Sequence, residues 1–270
     1  MGSGIALVSA QTGFTTLLFD LNQAALERSV ATIQKNIQHL VDKQKISAPE
    51  GEIIFNSIQF TSDVKKCVAD VFIEAIIENA TAKIELFNQF ASFNDTSAIF
   101  ATNTSSLSVS VIQAGIIHPE RVIGMHFFNP APIMKLVEVV RGSNTDEGTA
   151  QKIYDLCLQM NKTPVHCKDA PGFIVNRIAR PYYLEAMRIV ESGIASFENV
   201  DALMEASGFK MGPFKLMDLI GMDINLAVSK SIFDAFHQEE RFAPSALQEE
   251  KVARGELGRK TGKGFYTYPS

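Results

Sequence analysis

Two apolar runs meeting at a tight reversal constrain this chain more than any other stretch. Residues 122–140 read V-I-G-M-H-F-F-N-P-A-P-I-M-K-L-V-E-V-V. Pro130 and Pro132 cannot donate to a ladder and they fix their own dihedrals, so Asn129 to Pro132 predicts a turn. If the flanking runs pair as antiparallel strands centred on Pro132, His126 faces Glu138. Directly opposed residues in such a pair have Cβ atoms about 4.5–5.5 Å apart. A carboxylate that holds one imidazole nitrogen leaves the other to exchange a proton with a substrate. On spacing alone two readings stand side by side. One is a proton-handling pair; the other is a satisfied histidine packed beside two phenylalanines.

The rest of the chain supplies a setting for that pair. A helix already under way at Met1 and Gly2 is expected to end at Gly13. Thr15 to Phe19 predicts a buried strand, with Asp20 at its carboxyl tip. An acid in that place suits the ribose hydroxyls of a dinucleotide, and it also suits the N-cap of a helix from Gln23 to Lys43. A dinucleotide fingerprint places a strand and two glycines ahead of its helix, so the first strand is expected to be absent from this chain. Pro49-Glu50-Gly51 predicts a turn, Ile58 to Phe60 a short strand, and Val71 to Ile77 a buried strand followed by Glu78. Ala98 to Thr102 predicts another strand, followed by a polar loop and helix cap at Asn103 to Ser106. Strands alternating with helices imply a mostly parallel sheet covered on both faces. Ligands of such sheets sit beyond the carboxyl ends of the strands, and Asp20, Glu78, Ser105 and His126 all fall at or just past such ends.

Pro164 to Cys167 predicts the last strand of this part. From residue 169 onward the period is helical, with no further strand pattern until Phe265 to Tyr268. The expected organisation is therefore a Rossmann-like α/β domain over residues 1–168 and a smaller all-helical domain over residues 169–270. Asn176, near the start of the first helix of the second domain, is a candidate site residue or a plain interhelix amide.

Composition excludes more than it selects. The 270 residues are 46% hydrophobic and carry a net charge of −5, which weighs slightly against a surface for nucleic acid or anionic membrane and leaves room for a local basic patch. No apolar run approaches the roughly 20 residues of a membrane span. Cys67, Cys157 and Cys167 have neither metal-ligand nor disulfide spacing. A reducing, cytoplasmic setting and no metal are expected.

Six stretches then occur in order: N-T-S-S-L (103–107), G-M-H-F-F-N-P (124–130), K-L-V-E-V-V (135–140), P-G-F-I-V-N-R (171–177), G-P-F-K-L-M-D (212–218) and G-R-K-T-G-K-G-F-Y (258–266). Together they resemble the 3-hydroxyacyl-CoA dehydrogenases, especially the short bacterial 3-hydroxybutyryl-CoA type, over essentially the whole chain. The resemblance implies NAD-linked interconversion of a (3S)-3-hydroxyacyl-CoA and a 3-ketoacyl-CoA in acyl-CoA metabolism, and a homodimer formed through the helical domain. It implies His126 as general base and Glu138 as its orienting acid, with Ser105 and Asn176 around the substrate oxygens. Asn129 and Ser105 would lie near the nicotinamide, and Asp20 would hold the ribose. Ile76, Ile77 and Glu78 would line the cofactor at a strand end, with Lys83 and Lys260 nearby. Met1 and Gly2 match the last two positions of the glycine fingerprint. Two other readings share these motifs: a fold-retaining dimer that lacks a complete NAD site, and a hydroxy-acid dehydrogenase that does not use CoA.

Overall fold

The structure is a computed structural model that describes residues 1–269. It contains two compact units, Met1–Asp169 and Ala170–Ser270. Asp169 belongs with the first unit by its bonds: its carboxylate accepts from the Ser108 hydroxyl (2.6 Å) and the Ser110 amide (2.8 Å).

The first unit is built from seven strands. β1 (Thr16–Phe19) and β2 (Ile58–Thr61) form a two-stranded parallel sheet. β3 (Val71–Glu74), β4 (Ile99–Thr102), β5 (Val122–Phe127), β6 (Leu136–Arg141) and β7 (Thr163–Lys168) form a second sheet in that spatial order. Every pairing is parallel except β5 with β6. β4 and β5 are wholly buried, as expected for strands covered on both faces. β1 is only half-buried along its length, because it pairs on one side only.

Helix α1 (Gly2–Gln11) is apolar on two faces and packs into two clusters at once. Ile5 and Val8 join the core of the larger sheet with Ile123, Met125 and Val139. Leu7 and Ala10 join Ile33, Ile37 and Ile58 around the smaller sheet.

The turn expected at Pro49 to Gly51 is instead the start of a helix, α3 (Ala48–Asn56), which follows α2 (Gln23–Asp42). Ser47 is its N-cap and Glu50 closes a reciprocal capping box, the Ser47 amide donating to Glu50 Oε2 at 2.7 Å. Proline is tolerated in the first helical turn, where its missing N–H would have no partner. Gly51 is required here by crowding rather than by its dihedrals: a Cβ would come within 2.9 Å of the Ile37 Cγ2 on α2. A second expectation is also corrected. The N-cap of α2 is Asn22, whose side chain accepts from the Ala25 amide at 3.1 Å, while Asp20 only receives the Asn22 amide at 2.8 Å.

The remaining helices of this unit are α4 (Ala80–Ala91), α5 (Val109–Gln113) and α6 (Glu147–Gln159). The cap of α5 is Ser108, not the Asn103–Ser106 loop.

The second unit consists of α7 (Val175–Glu191), α8 (Phe197–Ala206), α9 (Pro213–Ile220), α10 (Met222–Ala235) and α11 (Ala246–Ala253), with short 3₁₀ turns. The strand expected at Phe265 to Tyr268 forms only isolated bridges, Gly258 with Lys263 and Lys263 with Thr267. What holds this terminal segment is Asp218, 1% exposed, which accepts from the amides of Phe265 and Tyr266 (2.9 Å each) and from the Tyr268 hydroxyl (3.0 Å).

Ser47→Ala removes one cap of α3 and is expected to cost about 1 kcal/mol. Calorimetry should show the melting temperature fall by about 2–4 °C; no change would mean that α3 needs no cap.

Candidate active site

The β5–β6 register places His126 directly opposite Glu138. His126 Nδ1 lies 2.7 Å from Glu138 Oε2, and the two residues are 5% and 1% exposed. The imidazole also packs on the Phe128 ring at 4.6 Å between centroids. A bond of that length in a dry environment fixes the ring and assigns Nδ1 to the carboxylate.

Two neighbours brace this reversal. Asn103, just past β4, accepts the Phe127 amide on its side-chain oxygen at 2.8 Å. Lys162, 7% exposed at the entry to β7, donates to the carbonyls of Ala131 (2.5 Å) and Met134 (3.0 Å) and so clamps the turn after Asn129. Burial, together with the Lys135 charge, pulls the Lys162 ammonium below its ordinary range. Asn129 itself is exposed at the start of the turn.

The ends of β3 and β4 carry a second polar assembly. Glu74, 5% exposed, accepts from the Ile76 amide (2.6 Å), from Lys83 Nζ (2.7 and 2.9 Å) and from the Thr102 hydroxyl (2.8 Å). Lys83 is 1% exposed and also lies 3.2 Å from Glu78. Its ammonium is therefore spent inside the protein rather than presented to a ligand. Glu78 gathers the following loop on one oxygen: the Thr104 hydroxyl (2.6 Å), the amides of Ser105 (3.0 Å) and Ser106 (3.1 Å), and the Ser106 hydroxyl (3.0 Å). Burial pushes the Glu78 carboxyl up, but the Thr104 bond, the Lys83 charge and the Ser105 and Ser106 bonds outweigh it, so it lies below the usual carboxylate value. The loop that carries Ser105 is thus tied to a charge that persists as pH falls.

The other expected residues are distributed as follows. Asp20 is exposed at the tip of β1, and Ile76 and Ile77 are exposed just past β3 (44% and 72%). Met1 heads α1, its carbonyl receiving the amides of Gly4 (2.9 Å) and Ile5 (3.1 Å), with Gly2 the first helical residue. Asn176 is the second residue of α7, in the helical unit. Lys260 also belongs to that unit, where it holds both oxygens of Asp223 (2.5 and 2.6 Å). Glu74 was not anticipated, although an acid inside the apolar run V-F-I-E-A-I-I was a visible anomaly. Among the described residues no group of three His, Cys, Asp or Glu side chains gathers as a metal site, and no helix is long and apolar enough to cross a membrane.

A mostly parallel α/β sheet with an acid at one strand tip, apolar side chains at the next, and a buried histidine–carboxylate pair is the framework of a nicotinamide-dependent dehydrogenase. Residues 1–170 match the 3-hydroxyacyl-CoA dehydrogenase NAD-binding domain, and residues 172–268 match the C-terminal domain of the same family. The chain belongs to the 3-hydroxyacyl-CoA dehydrogenase family. It is 45% identical over 99% of its length to a 3-hydroxyadipyl-CoA dehydrogenase of Escherichia coli K12, and spans 57% of that longer protein. It is 40% identical to the mitochondrial hydroxyacyl-coenzyme A dehydrogenase of Rattus norvegicus, covering 99% of this chain and 88% of the relative. The crystal structure of (S)-3-hydroxybutyryl-CoA dehydrogenase from Ralstonia eutropha superposes with a TM-score of 0.94 at 36% identity, covering 100% of this chain and 96% of that one.

Lys83→Met strands the Glu74 carboxylate in a dry site and is expected to cost about 3–5 kcal/mol in urea unfolding. Replacing Glu74 by Met as well should recover most of that loss. A single variant of unchanged stability would show that the pair is not a buried ion pair in solution.

Proposed function

We propose that the protein oxidises (3S)-3-hydroxyacyl-CoA to 3-ketoacyl-CoA, and catalyses the reverse, with His126 as the proton-transfer group. The observation that carries this is the 2.7 Å bond between His126 and a 1%-exposed Glu138. NAD supplies the hydride acceptor when bound. The residues present fit it: Asp20 offers its carboxylate at the tip of β1, and Ile76 and Ile77 leave apolar surface just past β3. The first turn of α1, Met1 and Gly2 included, offers amides to a phosphate.

His126 Nε2 takes the proton from the substrate hydroxyl as C3 loses its hydride. Glu138 balances the imidazolium that results, without moving. Ser105, on the loop gathered by Glu78, and Asn176, on α7, hold the substrate oxygens. Asn129 and Ser105 would border the nicotinamide, Glu78 would line the cofactor beside Ile76 and Ile77 with Lys83 acting through it, and Lys260 is assigned to the cofactor as well. We assign short acyl chains to the site, in line with the 3-hydroxybutyryl-CoA enzyme that the fold matches so closely. The helical unit exposes Ile178, Leu203, Phe209, Leu219 and Ile224, apolar surface suited to a homodimer contact. Three free cysteines fit a cytoplasmic setting.

Reduction of acetoacetyl-CoA by NADH tests the reading directly. His126→Gln should lower kcat by about 10²–10⁴-fold while the melting curve stays in place. Glu138→Gln should also slow turnover, since the imidazolium loses its counter-charge. A His126→Gln protein of near-normal rate would remove the assignment, and NADPH used as well as NADH would remove Asp20 from the ribose site.

A further inference from the structure

The helical unit contains a buried cation with no counter-ion among the described residues. Arg180 is 3% exposed, on the face of α7 that also carries Asn176 one turn earlier. Its bonds all leave from Nη1: to the Asn225 carbonyl (2.9 Å), the Asn225 side-chain oxygen (3.4 Å) and the Ser229 hydroxyl (3.0 Å). Nε is fully buried and has no partner. Nε, one of the two nitrogens on the Nε–Nη2 side with which a guanidinium grips a carboxylate by two parallel bonds, is therefore unengaged. Beside it, Asn225 is 1% exposed and its Nδ2 is a second buried donor without a partner. The amide orientation is fixed, because the Asn225 Oδ1 already accepts from Gln248 Nε2 at 2.6 Å.

Among the described residues no acid offsets the charge. Burial draws the guanidinium down to about 10, and among the described residues the titratable group acting on it is the Tyr183 phenol, whose ring lies 4.9 Å from the cation. Arg180 stays charged at neutral pH. Burying an uncompensated charge and two orphaned donors is costly, and an arriving anion would relieve all three.

We infer that Arg180 and Asn225 form a subsite for a carboxylate at the far end of the acyl chain, so that the preferred substrates are acyl-CoA thioesters of dicarboxylic acids. The inference rests on the dehydrogenase reading, in which Asn176 holds an oxygen near the reacting carbon. Four residues along a helix advance about 6 Å. A short acyl chain running from Asn176 along α7 therefore brings its terminal group to Arg180. The site selects by charge: a methyl terminus leaves the guanidinium edge and the Asn225 amide unpaired, whereas a carboxylate satisfies both.

The test compares kcat/KM for 3-hydroxyadipyl-CoA and 3-hydroxyhexanoyl-CoA, which share a chain length and differ in the terminal group. The carboxylated substrate should be preferred by at least about tenfold, the worth of one hydrogen-bonded charge. In Arg180→Met that ratio should collapse towards about one. Asn225→Asp, which supplies an internal carboxylate beside the guanidinium, should also lower the ratio, and it decides the matter if the Met variant does not fold. Equal use of the two substrates by the unaltered protein, or a preference that survives both substitutions, would overturn the subsite. Free adipate separates this from the reaction itself: it should raise the melting temperature of the unaltered protein and not of Arg180→Met. Failure to reduce acetoacetyl-CoA would sink the dehydrogenase reading, while adipate binding lost in Arg180→Met would still establish the anion site. Adipate stabilisation that is absent, or equal in both proteins, counts against it.

Discussion

The one antiparallel step in an otherwise parallel sheet is the constraint on which the rest of the first unit depends. Strands β5 and β6 reverse through Asn129 to Pro132, and the reversal brings an imidazole and a carboxylate face to face. A slip of one residue would turn every side chain of β6 to the other face of the sheet. The register is secured from both sides: Asn103 holds the end of β5 through the Phe127 amide, and Lys162 holds the carbonyls of the turn. Buried apolar residues on both strands, Ile123, Met125, Val137 and Val139, add the hydrophobic penalty for any other pairing.

A division of labour follows between two polar assemblies. The His126–Glu138 pair is a buried imidazole–carboxylate contact, the one to which we assign proton transfer. The Glu74–Lys83–Glu78 assembly is a scaffold: a single ammonium joins two carboxylates, and the outer one gathers the loop that carries Ser105. Each is dry enough for its hydrogen bonds to be strong and for a lost partner to be expensive. The protein thus places hydrogen-bonded charge at the carboxyl ends of β3 and β4, where parallel sheets of this type receive their ligands.

Much of this was legible in the sequence because it depends on local spacing. The opposition of His126 and Glu138 needed only two apolar runs equidistant from a proline turn. The all-helical character of the second unit followed from period alone. What escaped was set by reciprocal or distant contacts. The S-x-x-E box at Ser47 and Glu50 turns a proline–glycine stretch into a helix, and its prolyl residue reads equally well as a turn signal until the cap is seen. Glu74 in a buried strand makes sense only once Lys83 returns to it from α4. Phe265 to Tyr268 has the composition of a strand, yet its amides go to the Asp218 carboxylate instead of a ladder. The Arg180 edge is likewise invisible without coordinates, since helical spacing gives its face but not which of its nitrogens are taken.

Asp218 also sets an order of events. It sits 1% exposed on α9, and the groups that satisfy it, together with the close approach of Gly258 and Gly264, all arrive some forty to fifty residues later in the chain. Until that segment closes over it, the carboxylate must stay in water, and α9 cannot seat Met217 and Phe214 in the core of the helical unit without stranding it. The helical unit therefore cannot close on α9 until residues 258–268 have been made, so its core is settled by a segment far along the chain from the helix it completes.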